Sequence, residues 1–77
     1  MSHDTAPRSM TIEQRVSAFL LANSGTDFCA ACLARALGFG RTKTGDATAR
    51  LEGSPAFVRG YRPCALCRRD RLVIRAA

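Results

Sequence analysis

The sequence predicts an α+β domain in which three helices precede a two-stranded hairpin. Three observations carry this prediction. A helix-start signature stands at Thr11. A second helical run closes on glycines at Gly38 and Gly40. Two strand-forming runs then flank the segment Tyr61–Arg71, YRPCALCRRDR.

Residues 1–10, MSHDTAPRSM, show no periodicity and read as a flexible tail, so the domain spans residues 11–77. Thr11 and Gln14 form a T-x-x-Q capping box. Ile12, Val16, Phe19 and Leu20 follow at helical spacing. Asn23-Ser24-Gly25 supplies the stop, with Gly25 suited to a left-handed residue past a helix end. Asp27 is a good N-cap, and the pattern predicts a second helix from Phe28 to Gly38 with Cys29, Leu33, Ala36 and Leu37 on one side. The connector Gly38–Asp46 is rich in turn residues, and Thr44 is placed to cap a third helix over Gly45–Glu52. Gly53, Ser54 and Pro55 end it. Phe57, Val58 and Tyr61 then mark one strand, and Leu72, Val73 and Ile74 the other.

A chain of 77 residues forms one domain at most, and an apolar core of that size rarely supplies more than ~3–5 kcal/mol unaided. A staple is expected, and the cysteines provide it. The four form two C-x-x-C pairs, Cys29/Cys32 and Cys64/Cys67, separated by 31 residues. Zn²⁺ takes four thiolates in a tetrahedron, and each C-x-x-C supplies two sulfurs from one turn. On a helix, positions i and i+3 share a face, so Cys29 and Cys32 are expected to point at one ion. The set predicts one structural Zn²⁺ held by Cys29, Cys32, Cys64 and Cys67, with no coordination position open for catalysis. Redox thiols, disulfides, an iron–sulfur cluster and plain core cysteines are the alternatives. The only histidine, His3, lies in the tail and is not expected to be a ligand.

The net charge of +6 is unevenly spread. Residues 1–34 carry two bases and three acids, whereas residues 35–77 carry ten bases and three acids. Eleven of the twelve bases are arginine, the better residue for bidentate phosphate contacts. A basic half on a small domain points to a polyanion. The plainer reading is a solvated basic face. Some of Arg62, Arg68, Arg69 and Arg71 also have an inward use, because four thiolates around a divalent ion form an anion that arginines compensate.

The order of three helices, a glycine-containing turn between the second and third, and a hairpin resembles the winged helix-turn-helix family of bacterial DNA-binding domains. The resemblance is architectural and covers residues 11–76. It implies that the third helix enters the major groove of double-stranded DNA while the hairpin wing touches the backbone. Residues 42–50 would then be the reading segment, with Arg41 just ahead of it. Thr42, Lys43, Thr44, Thr48 and Arg50 would make the contacts there, and Arg59, Arg62, Arg68 and Arg69 those of the wing. Asp46 and Glu52 place negative charge on that segment, and Asp46 falls in the expected first turn, where it is favourable.

Other classes are bounded by what the chain contains. A protein-interaction module with an acidic partner is the main alternative to DNA binding, with Phe39 and Phe57 as candidates for an exposed apolar patch. A redox sensor that ejects zinc is a third reading. RNA recognition lacks an aromatic platform, since Tyr61 is the only tyrosine. No enzyme is expected. The chain has no histidine outside the tail, no close carboxylate pair and no glycine-rich phosphate motif, so no small-molecule substrate is expected either. Neither a signal peptide nor an apolar stretch of membrane-spanning length stands out, which predicts a cytoplasmic protein without a membrane partner.

Overall fold

Thr11 opens the first helix as its sequence predicts. Its hydroxyl accepts from the Gln14 N–H at 3.1 Å, while its own N–H donates to the Gln14 side-chain oxygen at 2.8 Å. The computed structural model describes residues 11–77, so the expected tail and His3 lie outside the described residues. From this cap, α1 runs Ile12–Ala22. A two-residue strand β1 (Phe28–Cys29), the helices α2 (Ala30–Leu37) and α3 (Arg41–Leu51), and the strands β2 (Phe57–Pro63) and β3 (Asp70–Ala76) follow. The architecture is α+β, with three helices against a three-stranded antiparallel sheet ordered β1-β3-β2.

The third strand corrects the two-stranded expectation. Phe28 pairs with Ile74, and Cys29 with Val73. Two residues in an extended conformation leave no periodicity to read, so the strand exists only because β3 offers its free edge. The second helix therefore begins at Ala30 rather than Phe28, with Cys29 as an extended N-cap at φ −83° and ψ 160°. Asp27 is not that cap. Its carboxylate accepts from Arg62, and its carbonyl accepts from the Ala65 N–H at 2.8 Å.

The third helix begins four residues earlier than predicted. Gly40 is its N-cap, so Arg41, Thr42 and Lys43 form the first turn and Asp46 falls in the second. Thr44 does not cap. Its hydroxyl donates back to the Gly40 carbonyl at 2.8 Å, and that of Thr48 donates to the Gly45 carbonyl at 2.8 Å. Both threonines are buried, at 0% and 3% exposure, which lets Gly45 sit inside a helix that propensity alone disfavours. Between α2 and α3, Gly38 takes φ +77° and its N–H bonds the Ala34 carbonyl. That left-handed residue makes the turn tight.

Burial explains how the layers hold together. Val16 and Leu20 of α1, Leu33 of α2 and Ala47 of α3 meet Phe28, Phe57, Ile74 and Ala76 of the sheet in one apolar core. Phe19 and Phe28 pack with centroids 5.1 Å apart and planes tilted by 59°. Phe57 is thus a core residue, and Phe39 is half-buried with the Arg15 guanidinium 5.2 Å from its ring centre. Across the sheet, Val73 belongs to a second cluster with Cys29, Cys32 and Cys64. β3 divides the two, sending Ile74 to the helical core and Val73 to the sulfurs.

Leu20 is fully buried at the centre of the larger core. Leu20→Ala should lower the unfolding free energy by about 2–5 kcal/mol, measured by denaturant titration. A loss well under 1 kcal/mol would contradict this packing.

Candidate metal centre

The four sulfurs come from two different backbone devices. Cys29 sits in β1 and Cys32 in the first turn of α2, so an extended residue and a helical one replace the predicted pair on a single helix face. Cys64 and Cys67 lie in the β2–β3 turn. There the Cys64 N–H donates to the Arg69 carbonyl at 2.9 Å and the Arg68 N–H to the Cys64 carbonyl at 2.9 Å. The Ala65 bond to Asp27 then ties this turn to the residue just before β1.

The four Sγ atoms lie within 4.8 Å of one another. Cys29 and Cys67 are 3.9 Å apart, far beyond a bond of ~2.05 Å, so the cysteines are free thiols and not disulfides. A tetrahedral ion with metal–sulfur distances of ~2.3 Å separates its ligands by about 3.8 Å. The donor set fits one such ion, and a multi-iron cluster would hold its cysteines farther apart. Three of the four residues are buried and Cys67 is half-buried. These residues form a site that can hold a metal ion.

Hydrogen bonding prepares one sulfur for charge. Burial pushes the Cys64 thiol up, but it also accepts N–H bonds, those from Cys29 and Leu66 at 3.4 Å among them. Together with the donation from Cys32 they outweigh burial and bring it down to about 6. Burial pushes Cys32 up to about 12, and its bonds to Cys29, Cys64 and Cys67 reinforce the rise. Four thiolates at this spacing need a cation among them.

The predicted nucleic-acid residues fall into three groups. Thr44 and Thr48 are interior, with hydroxyls spent on their own helix, so they leave the exposed face. Arg50, Arg59 and Arg62 are ion-paired. Arg50 bonds Glu13 on α1 at 2.8 Å, Arg59 bonds Glu52 at 2.9 Å with 19% of its side chain exposed, and Arg62 bonds Asp27 at 3.2 Å. The Arg62 guanidinium lies over Gly60, where an added Cβ would come within 2.5 Å of Nη1 and the side chain would have to shift. Arg41, Thr42, Lys43, Arg68 and Arg69 are exposed, and the four bases among them have no ion pair among the described residues.

Sequence reasoning passed over Arg35. With Arg69 and Arg71 it lines a cavity of about 370 Å³ that includes Cys29, Cys32 and Cys67. Its only signal was its position three residues after Cys32, one helical turn along. Comparison of the chain with family models, with characterised proteins and with solved structures finds no match in any of the three.

Arg68 holds φ +64° at the turn after Cys67, the one left-handed residue among the described residues that is not glycine. A side chain in that region costs about 1–2 kcal/mol, part of which glycine returns as unfolded-state entropy. Arg68→Gly should raise stability by about 0.5–1 kcal/mol, read as a higher denaturant midpoint. A lower midpoint would mean that the arginine side chain stabilises the turn.

Proposed function

We propose that the protein is a zinc-stapled winged-helix module that binds the phosphate backbone of double-stranded DNA. Zinc is favoured because the donor set is all sulfur, mutually spaced for a tetrahedron, and complete without an open position. Cys29, Cys32, Cys64 and Cys67 would hold it, and the ion would supply cross-linking rather than catalysis. The winged-helix reading is supported by the order α-β-α-α-β-β, by the tight Gly38 turn between α2 and α3, and by the hairpin that follows them.

The observation that carries the DNA reading is the first turn of α3. It holds Arg41 and Lys43, contains no acid, and has a Gly40 N-cap that offers no side-chain acceptor. Cations at the positive end of a helix dipole oppose folding, whereas a phosphate there would satisfy both the free N–H groups and the two bases. Arg68 and Arg69 on the wing supply two further exposed cations without an ion pair among the described residues. These contacts fix position on the duplex and read no sequence by themselves.

A second reading, a protein-interaction module, is favoured by one feature. Tyr61 and Leu72 pair across the hairpin, 74% and 48% exposed, with Leu66 also exposed at its tip. Such a patch suits a protein surface better than a phosphate.

Removing the metal with a chelator should unfold the domain, because binding energy at such a site is folding energy. Cys29→Ser and Cys64→Ser should be equally damaging when far-UV circular dichroism is followed. An apo-protein that stays folded would remove the staple.

The DNA reading is tested by titrating the zinc-loaded protein with a random duplex of about 25 base pairs at two salt concentrations. Binding is expected near 10⁻⁴–10⁻⁶ M at physiological salt, weakening as salt rises, at roughly the non-specific level. Replacing Arg41, Lys43, Arg68 and Arg69 together by Ala should flatten the log–log salt slope by about 0.9 for each phosphate left without its cation. Arg50→Ala, whose guanidinium is occupied by Glu13, should leave the slope unchanged. No binding at low salt would overturn the DNA reading and direct attention to the Tyr61–Leu72 face.

A further inference from the structure

Arg71 sits where β3 passes the cysteines. Alternation along the strand places it on the same face as Val73, which packs against Cys29, Cys32 and Cys64. Its Nε is buried and has no hydrogen-bond partner among the described residues. A buried guanidinium N–H without an acceptor is destabilising. The side chain is nevertheless set against the cavity that Cys29, Cys32 and Cys67 line.

The sulfurs show the complementary deficit. Cys64 accepts N–H bonds from the backbone, but Cys29, Cys32 and Cys67 accept none from any backbone or guanidinium N–H among the described residues. Four thiolates around a divalent ion carry a net charge of −2. The residue with the unsatisfied donor and the cysteines with the under-donated sulfurs line one cavity.

We propose that Arg71 is a positioning residue for the metal centre, its buried Nε–H donating to the sulfur of Cys29, Cys32 or Cys67 when these are ionised around the ion. This rests on the reading that the four cysteines bind a metal. Arg35 and Arg69 line the same cavity from α2 and the wing, and their charges complete the compensation of the anion. Arg71 therefore serves the protein's own thiolates and is not part of the DNA-contacting set. A donor on a metal-bound sulfur stabilises its ionised form and offsets the charge of the anionic centre, which raises metal affinity, and it shifts the sulfur-to-metal charge transfer.

The test uses the full chain loaded with Co²⁺, whose sulfur charge-transfer band reports the thiolates directly. Affinity is read by competition with a chelator of known strength. Arg71→Met keeps the apolar stem and removes the donor, and Arg50→Gln removes the same charge away from this cavity. The expected result is 1:1 loading in all proteins, with Arg71→Met weaker than wild type by about 10–100-fold and its band shifted, and Arg50→Gln unchanged in both. Should Arg71→Met fail to fold when loaded, Arg71→Lys is read in the same way. It keeps the charge but places no N–H at the Nε position, and about a tenfold loss with a shifted band is expected. An affinity within threefold of wild type with an unshifted band, in whichever of these variants folds, overturns the proposal while leaving the metal reading intact. A wild-type chain that takes up no stoichiometric Co²⁺ overturns both.

Discussion

The meeting of two chain segments at one four-sulfur site is the constraint on which the rest of the structure depends. Cys29 and Cys32 sit where β1 gives way to α2, and Cys64 and Cys67 sit at the tip of the hairpin. By analogy with a disulfide, an ion bound by all four sulfurs would cross-link a loop of roughly thirty residues and remove on the order of 3–4 kcal/mol of unfolded-state entropy. That is comparable to what an apolar core of this size contributes. Two backbone contacts make the same junction, the β1–β3 pairing and the Ala65–Asp27 hydrogen bond, so the sulfurs close a corner already aligned by the main chain.

The arginines divide according to what surrounds them. Arg50, Arg59 and Arg62 bridge elements, joining α3 to α1, β2 to the end of α3, and β2 to the segment before β1. Arg35, Arg69 and Arg71 gather at the cysteine cavity. Arg41 with Lys43, and Arg68 with Arg69, face solvent. A strongly basic half thus resolves into arginines that bridge elements, arginines that line the cysteine cavity and exposed bases, with Arg69 in both of the last two groups. Asp27 is the hinge of this arrangement. Its carboxylate takes Arg62, with Arg75 at 3.9 Å, while its carbonyl anchors the cysteine turn.

The α2–α3 segment shows why α3 forms despite a poor composition. Gly45 and two threonines weaken it locally, and Arg41 and Lys43 oppose its dipole. Tertiary contact compensates. Thr44, Ala47 and Thr48 face inward, and Ala47 joins the apolar core with Leu20 and Leu33. The exposed side of the helix is left to residues that folding does not need there.

Local chemistry wrote several features into the sequence directly. The capping box at Thr11, the glycine stop at Gly38, the strand-forming runs and the paired cysteines each act within a few residues, so the α+β class, the helix order, the hairpin and the four cysteines of the cluster were legible. What depended on distant partners was not. Strand β1 is two residues long and exists only against Ile74 and Val73, which moved the start of α2 and took Cys29 off the helix. The interior placement of Thr44 and Thr48, the pairing of Arg50, Arg59 and Arg62, and the cavity around Arg71 were decided by which elements pack together. Charge and residue type are properties of the chain, but burial and pairing are properties of the fold. The sequence by itself determined which groups are available to bind a metal or an anion, and only the tertiary structure decided which are already occupied.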